Sequence, residues 1–110
     1  MKVILIIVLF FTPSVWSACY QNQCNGVGKD VLASVYPSGA GNIYLEAPAG
    51  KEKLNCKLVE GYYMTLKKTH PVFDAMYSTI LTALSTKKKL TVRVIEHSEG
   101  CEVMYVRMFM

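Results

Sequence analysis

Four cysteines in a short chain constrain the fold of this protein more than any other feature of its sequence. The chain has 110 residues, and all four cysteines follow an apolar leader: they are Cys19, Cys24, Cys56 and Cys101. A domain of this size has a marginal hydrophobic core, so covalent staples contribute a large share of its stability. The cysteines therefore indicate a small disulfide-stabilised domain in an oxidising compartment.

Residues 1–17 have the pattern of a signal peptide. Lys2 supplies a positive charge, and residues 3–11 form an unbroken apolar run. Val15 and Ser17 are small enough for the −3 and −1 positions of a cleavage site. The run is shorter than the about 20 apolar residues that cross a bilayer. We expect a secreted protein, periplasmic or extracellular, with no membrane span. The alternatives are a buried strand or helix of a cytosolic protein, or a lipoprotein, although a Leu-x-x-Cys lipobox is absent.

Cleavage after Ser17 would leave a single domain, residues 18–110, which carries 11 basic and 8 acidic side chains. The resulting net charge of +3 is mild. Such a charge suits an anionic surface or glycan and gives no argument for nucleic acid as a partner.

The four cysteines allow three disulfide pairings. We favour Cys19–Cys24, which closes a short N-terminal loop, and Cys56–Cys101, which joins distant segments and stabilises the fold by about 3–4 kcal/mol. In the alternative pairings, Cys24 bridges to Cys56 or to Cys101, and Cys19 takes the remaining partner. A zinc site is a poor interpretation, because no C-x-x-C is present and the two histidines are not at ligand spacing. We expect no cofactor.

Period-two alternation and turn signals predict five strands. They cover residues 29–36, 43–46, 54–59, 90–95 and 101–108. Residues 18–28 are predicted to be loop, and residues 61–66 are either a strand end or an ordered loop.

The residues between the third and fourth predicted strands change to a helical period. Apolar side chains recur with the spacing of one helix face, at Phe73, Met76, Tyr77, Ile80, Leu81 and Leu84. This spacing predicts a helix over residues 71–86. The opposite face carries small, mostly neutral side chains: Ala75, Ser78, Thr79, Thr82 and Ser85. That face is either solvated or approaches another helix closely in a symmetric oligomer.

The element order β-β-β-α-β-β predicts an all-β fold with one helix, in the α+β class. This is the order of an OB-like five-stranded barrel, in which the helix lies between strands three and four. An open α+β sheet with one covering helix is the competing fold.

A family resemblance rests on residues 77–83, which read Tyr-Ser-Thr-Ile-Leu-Thr-Ala, on the basic turn and Leu-Thr-Val-Arg-Val of residues 87–94, and on the final strand led by Cys101. This stretch resembles the B subunits of AB-type toxins, in the branch of subtilase cytotoxin and pertussis toxin, and related small secreted proteins. The resemblance implies an OB-like barrel, a homo-oligomeric ring of five subunits with helices lining the pore, a cell-surface glycan as ligand and a catalytic A-type subunit as partner. The Cys19…Cys24 loop departs from the family.

Tyrosines are the candidate ligand-binding residues, because sugar recognition needs flat aromatic faces together with short polar groups. Tyr36 lies near Ser38 in the sequence, and the pair Tyr62 and Tyr63 is followed by Lys67. Tyrosine is equally common as a half-buried strand residue.

No motif of an enzyme active site is present, and we expect no catalytic residues. His70 precedes a proline at the predicted helix start, where a histidine is typically a capping or surface residue, and His97 lies in a predicted turn. Residues 87–89 are three lysines that suit a solvated helix end. The sequence thus favours a secreted glycan-binding module. The alternatives are a monomeric inhibitor or structural protein, and a small hydrolase that uses the histidines.

Overall fold

The computed structural model describes residues 18–110, which form a mostly β fold with one helix. The predicted signal peptide lies outside the described residues. The strands are β1 (Cys19–Tyr20), β2 (Gln23–Gly26), β3 (Ser34–Pro37), β4 (Ile43–Glu46), β5 (Tyr63–Leu66), β6 (Leu90–Val94) and β7 (Val103–Met108). The helix α1 covers Phe73–Thr86, between β5 and β6. Two short 3₁₀ helices cover Gly28–Asp30 and Lys51–Lys53.

The strands form two antiparallel sheets. The first sheet has the order β1-β2-β6-β7, and the second has the order β3-β4-β5. Side chains of successive residues point to opposite faces of a strand. In the second sheet, Leu45 and Met64 are therefore buried while Tyr44 and Tyr63, one residue earlier in each strand, remain partly exposed.

The two sheets meet at a narrow seam. The described residues of β5 and the start of β7 are joined by a single parallel bridge between Thr65 and Glu102, where the Thr65 N–H donates to the Cys101 carbonyl at 3.1 Å. The disulfide Cys56–Cys101 lies beside this bridge, with a Cα–Cα distance of 5.1 Å. The disulfide therefore reinforces the seam where backbone pairing is sparse.

Helix α1 packs mainly against β6 and β7 of the first sheet and against the first 3₁₀ helix. Met76, Ile80 and Ala83 are its buried residues, and Leu81 is 42% exposed. The helix ends at Lys87, which adopts a left-handed conformation (φ 55°) and donates its N–H to the Ala83 carbonyl, a common helix-terminating arrangement. The buried core joins the helix to both sheets through Cys19, Cys24, Val31, Leu32, Ile43, Leu45, Ala47, Leu54, Met64, Leu66, Met76, Ile80, Ala83, Leu90, Val92, Val94, Cys101 and Val103.

The structure agrees with the predicted α+β class and differs from the prediction in the elements before the helix. Seven strands in two sheets replace five strands, and the described residues do not form one closed barrel. Residues 18–28 contain β1 and β2 rather than loop. Residues 54–59 are not a strand, and the strand that precedes the helix is Tyr63–Leu66.

These differences arise from non-local strand pairing: β2 pairs with β6, far along the chain. Backbone pairing with β4 selects Tyr63–Leu66 as the strand, because this segment buries Met64 and Leu66 against the core. The predicted helix agrees in its end, Thr86, and begins at Phe73 rather than at residue 71. No helix among residues 18–110 has the length and apolar character needed to cross a membrane.

Candidate functional site

Four tyrosines meet on the outer surface of the second sheet. We call this cluster, formed by Tyr36, Tyr44, Tyr62 and Tyr63, the tyrosine face. Tyr36 lies directly opposite Tyr44 in the register of β3 and β4, and their ring centroids are 5.8 Å apart. The Tyr63 ring is 6.0 Å from each of those two rings, and the Tyr62 ring is 6.3 Å from that of Tyr63. Edge-to-face and tilted pairs at these distances are favourable for aromatic rings.

The outer rings of the tyrosine face are accessible. Tyr36 is 50% and Tyr62 is 52% exposed, while Tyr44 and Tyr63 beside them are half-buried. The ammonium of Lys51 lies 5.1 Å from the centroid of the Tyr62 ring, within the range of a cation–π contact.

Polar groups border the same surface. The Ser34 hydroxyl donates to a carboxylate oxygen of Glu46 at 2.8 Å, and Glu46 lies opposite Tyr63 in the register of β4 and β5. The surface therefore combines flat rings, a carboxylate acceptor and an ammonium donor, the groups that orient a polar ligand over an aromatic platform.

Three of the five predicted ligand-binding residues lie on the tyrosine face, namely Tyr36, Tyr62 and Tyr63. The other two lie apart from the cluster. The Ser38 hydroxyl donates to the Asn42 carbonyl at 2.7 Å within its own turn. The Lys67 ammonium forms an ion pair with Glu102 at 3.1 Å, across the seam between the sheets.

All four cysteines are held in disulfides, Cys19–Cys24 and Cys56–Cys101, the two pairs favoured from the sequence. The first closes the hairpin of β1 and β2, where the two residues are register partners. The alternation of residues 54–59 predicts Cys56 on a strand, whereas it lies in the loop that precedes β5. Among residues 18–110 there is no free cysteine and no cluster of His, Cys, Asp or Glu arranged to hold a metal ion.

A second surface was not predicted from the sequence. It is a cleft of about 900 Å³ on the outer face of the first sheet, which we call the cationic cleft. Its lining comprises Ala18, Gln23, Asn25, Gly26, Lys29, Asp30, Pro48, Ala49, Lys89, Thr91, Tyr105, Arg107 and Phe109. The strands β2, β6 and β7 form its floor, and the first 3₁₀ helix and the loop after β4 form its sides.

Cations and aromatic rings alternate on the floor of the cationic cleft. The Phe109 ring has the Arg107 guanidinium at 4.6 Å and the Lys89 ammonium at 4.9 Å from its centroid. Just beyond the lining residues, the Arg93 guanidinium lies 5.7 Å from the centroid of the Tyr105 ring. The Thr91 hydroxyl donates to the side-chain oxygen of Asn25 between β6 and β2.

The candidate catalytic histidines have different surroundings. The Nδ1 atom of His70 accepts a hydrogen bond from the Val72 N–H at 3.2 Å, and its Nε2 atom contacts the Met104 carbonyl at 2.9 Å. Both ring nitrogens thus bind backbone atoms and tie the start of α1 to β7. His97 lies in an exposed turn with a positive φ of 62°.

Sequence reasoning missed Tyr44 and the cationic cleft for different reasons. Tyr44 was identified as a tyrosine but not as a ligand-binding candidate, although the alternation of residues 43–46 places it outward. The residues of the cleft come from five separate segments, so no single stretch reveals them. The available signal was the two-residue spacing of Thr91 and Arg93 on β6 and of Tyr105 and Arg107 on β7. This spacing places these polar and aromatic side chains together on the outer faces of adjacent strands.

Neither the known protein families, nor the curated proteins, nor the solved structures with which the chain was compared include a match to it.

Proposed function

We propose that this protein is a secreted, non-catalytic binding module, the glycan-binding subunit of an oligomeric toxin-like assembly, and that the tyrosine face binds the glycan. The observation that carries the proposal is the convergence of four tyrosines on one exposed surface, three from the strands β3, β4 and β5 and one from the turn before β5. Sugar rings present C–H groups on one face and hydroxyls at their edges. A ligand of this kind stacks on an aromatic ring and hydrogen-bonds with polar groups beside it.

Each part of the tyrosine face has a role in this proposal. The exposed rings of Tyr36 and Tyr62 supply the stacking surface. The half-buried rings of Tyr44 and Tyr63 hold them in place through the edge contacts described above. Glu46 accepts hydrogen bonds from sugar hydroxyls, and Lys51 donates to them.

The order of strands supports an OB-like barrel as the framework. The segments β2 and β3 are consecutive in the chain and are interrupted by one 3₁₀ helix. Counted as one bent strand, β2 and β3 are strand 1 of a barrel in which β4, β5, β6 and β7 are strands 2 to 5. Neighbouring strands then follow the order 1-2-3-5-4-1, and strands 3 and 5 are parallel at the Thr65–Glu102 bridge. A partly open five-stranded Greek-key barrel has this arrangement.

Secretion is supported by the two disulfides, since such bonds persist in oxidising compartments outside the cytosol. The leader of residues 1–17 is the proposed export signal, and residues 18–110 are the proposed mature domain.

Oligomerisation is supported by the outward face of α1. Its exposed residues are mostly small, namely Ala75, Ser78, Thr82 and Ser85, and they flank the exposed Leu81. Small side chains allow close approach between helices. The resemblance to toxin B subunits makes the proposed assembly a ring of five copies that pairs with a catalytic A-type subunit.

A glycan array tests the proposed ligand class. The labelled protein, with its disulfides intact, is applied to an array of neutral and acidic cell-surface glycans. We expect it to retain a defined subset, and the Tyr36→Ala and Tyr62→Ala variants to bind that subset about tenfold more weakly, as expected for central aromatic contacts. Tyr20→Ala is the matched control, because Tyr20 is 65% exposed and lies outside the tyrosine face. Equal loss in all three variants, or retention of no glycan, would refute the proposal.

Native mass spectrometry tests the assembly separately. The proposal predicts a discrete oligomer, with a pentamer as the expected species. A monomer at micromolar concentration would refute the toxin-subunit hypothesis. A monomeric inhibitor or structural protein would then be the better interpretation.

A further inference from the structure

We propose that the cationic cleft is a second binding site, that its ligand is a sulfated polysaccharide, and that it acts independently of the tyrosine face. The cleft lies on the first sheet, whereas the tyrosine face lies on the second. This inference does not rest on the proposed function and can hold or fail without it.

The lining of the cleft carries an excess of positive charge. Lys29, Lys89 and Arg107 contribute three positive charges to the lining, against one negative charge from Asp30. Among residues 18–110 the structure contains one ion pair, Lys67–Glu102, which lies outside the cleft. The cations are therefore available to an anionic ligand, and clustered charges of one sign in a concave site concentrate counter-ions there.

The positions of the cations favour a chain of repeated anions over a single anionic group. In the register of β6 and β7, Arg107 lies opposite Thr91, and Arg93 lies opposite Tyr105. Lys89 lies at the other end of the row, where the Phe109 N–H donates to its carbonyl. The cationic groups form two centres on this face: Lys89 and Arg107 meet at the Phe109 ring, and Arg93 lies against the Tyr105 ring just beyond the lining of the cleft. The backbone positions of Phe109 and Tyr105 are four strand residues apart, about 13 Å. An extended polymer that carries repeated anions can reach both centres, whereas a single anionic group cannot.

The aromatic rings of the cleft argue against single-stranded nucleic acid as that polymer. Bases bind to such surfaces by stacking on open ring faces. Here the Phe109 ring has both a guanidinium and an ammonium against it, and the Tyr105 ring has a guanidinium. The rings hold the cations in position through cation–π contacts, so a stacked base would have to displace these contacts. The disulfides also indicate an oxidising compartment outside the cytosol.

The remaining lining supplies uncharged partners. Gln23 and Asn25 on β2 carry amides that donate to sulfate oxygens or ring hydroxyls. A volume of about 900 Å³ accommodates more than one sugar residue of the chain.

The test is a titration of the full, disulfide-bonded protein with a heparin-derived octasaccharide, followed by calorimetry at several salt concentrations. The Lys89→Gln/Arg107→Gln variant removes two cations of the cleft. We expect it to bind at least about tenfold more weakly, and the slope of log affinity against log salt to fall by about 1 to 1.5. The matched control is Lys57→Gln/Lys68→Gln, which removes two exposed cations outside the cleft and should change the affinity by less than about threefold, since exposed charges away from a ligand are largely screened.

Two further ligands and one further variant make the result decisive. The desulfated octasaccharide should not bind, and single-stranded DNA of equal charge should bind more weakly than the sulfated chain. Tyr36→Ala/Tyr62→Ala should retain the wild-type affinity for the sulfated octasaccharide even where it loses array glycans, so that failure of one proposal is distinguished from failure of the other.

The inference is overturned if the wild-type protein does not bind the sulfated octasaccharide, or if DNA binds more tightly than this ligand. It is also overturned if the cleft variant and its lysine control lose affinity equally, or if the Tyr36→Ala/Tyr62→Ala variant no longer binds the sulfated octasaccharide. Circular dichroism checks that each variant is folded. If Lys89→Gln/Arg107→Gln is unfolded, the single change Lys29→Gln, at an exposed position of the lining, takes its place, and an unchanged affinity for that variant overturns the inference.

Discussion

The two disulfides should differ in their contribution to stability, because they close loops of very different length. Cys56 and Cys101 are separated by 45 residues and Cys19 and Cys24 by 5. In the chain-entropy treatment, a cross-link stabilises by restricting the unfolded chain, and the effect grows with the logarithm of the loop length. This gives about 4 kcal/mol for Cys56–Cys101 and about 2 kcal/mol for Cys19–Cys24 at 25 °C.

The structure makes the comparison a controlled one. Cys19, Cys24 and Cys101 are fully buried and Cys56 is half-buried, so replacement by alanine removes a similar sulfur volume at either bridge. The double variant Cys56→Ala/Cys101→Ala additionally loses the covalent link at the seam between the sheets. The double variant Cys19→Ala/Cys24→Ala keeps its hairpin, which also pairs with β6. Neither variant contains an unpaired thiol.

Urea unfolding followed by far-UV circular dichroism measures both free energies of unfolding. The account predicts a difference of about 2 kcal/mol between the two variants, with Cys56→Ala/Cys101→Ala the less stable. At a typical slope of about 2 kcal/mol per molar urea, this difference separates the midpoints by about 1 M. The reasoning is refuted if loss of Cys19–Cys24 destabilises the protein as much as loss of Cys56–Cys101, or more.

Two neighbouring residues of the helix should differ in their effect on the free energy of unfolding measured by chemical denaturation. Ile80→Ala, at a fully buried position, should lower it by about 2–5 kcal/mol. Leu81→Ala, at a position that is 42% exposed, should lower it by less than about 1 kcal/mol. Comparable losses would contradict the observed helix orientation. His70→Ala should destabilise by about 1–2 kcal/mol, because it removes both backbone hydrogen bonds of the ring, while His97→Asn, which tolerates the positive φ of its turn, should leave the thermal midpoint unchanged. A neutral His70→Ala would remove the structural role of that ring.

The helix was the most predictable element, because its apolar residues recur at a local spacing. The sequence nonetheless indicated Leu81 as part of the core face, and the structure buries Ala83 instead. The apolar face of the helix is wider than the area that packs against the core, so residues at one edge of this face remain exposed. A small side chain such as that of Ala83 allows the helix to approach the core closely. Side-chain size alone therefore does not indicate which edge of the stripe is buried.

The strands before the helix were less predictable, because their pairing is non-local. The sequence 54–59 alternates like a strand, but Leu54 is buried in a loop and the chain pairs with β4 only from Tyr63 onwards. The glycines and asparagines of residues 18–28 are typical of a loop. These residues form a strand because β2 pairs with β6, which lies far along the chain. The tyrosine face was only partly predictable for the same reason: Tyr36 and Tyr63 lie far apart in the sequence, and their rings come within 6.0 Å of each other only because β3 and β5 both pair with β4.

The central claim is that the tyrosine face binds a glycan, and an NMR titration tests it most directly. The isotope-labelled protein is titrated with the glycan that the array retains most strongly, and changes in backbone amide shifts are mapped on the structure. The account predicts that the largest changes cluster at Tyr36, Tyr44, Tyr62 and Tyr63. Changes confined to the cationic cleft, or spread evenly over the protein, would contradict it.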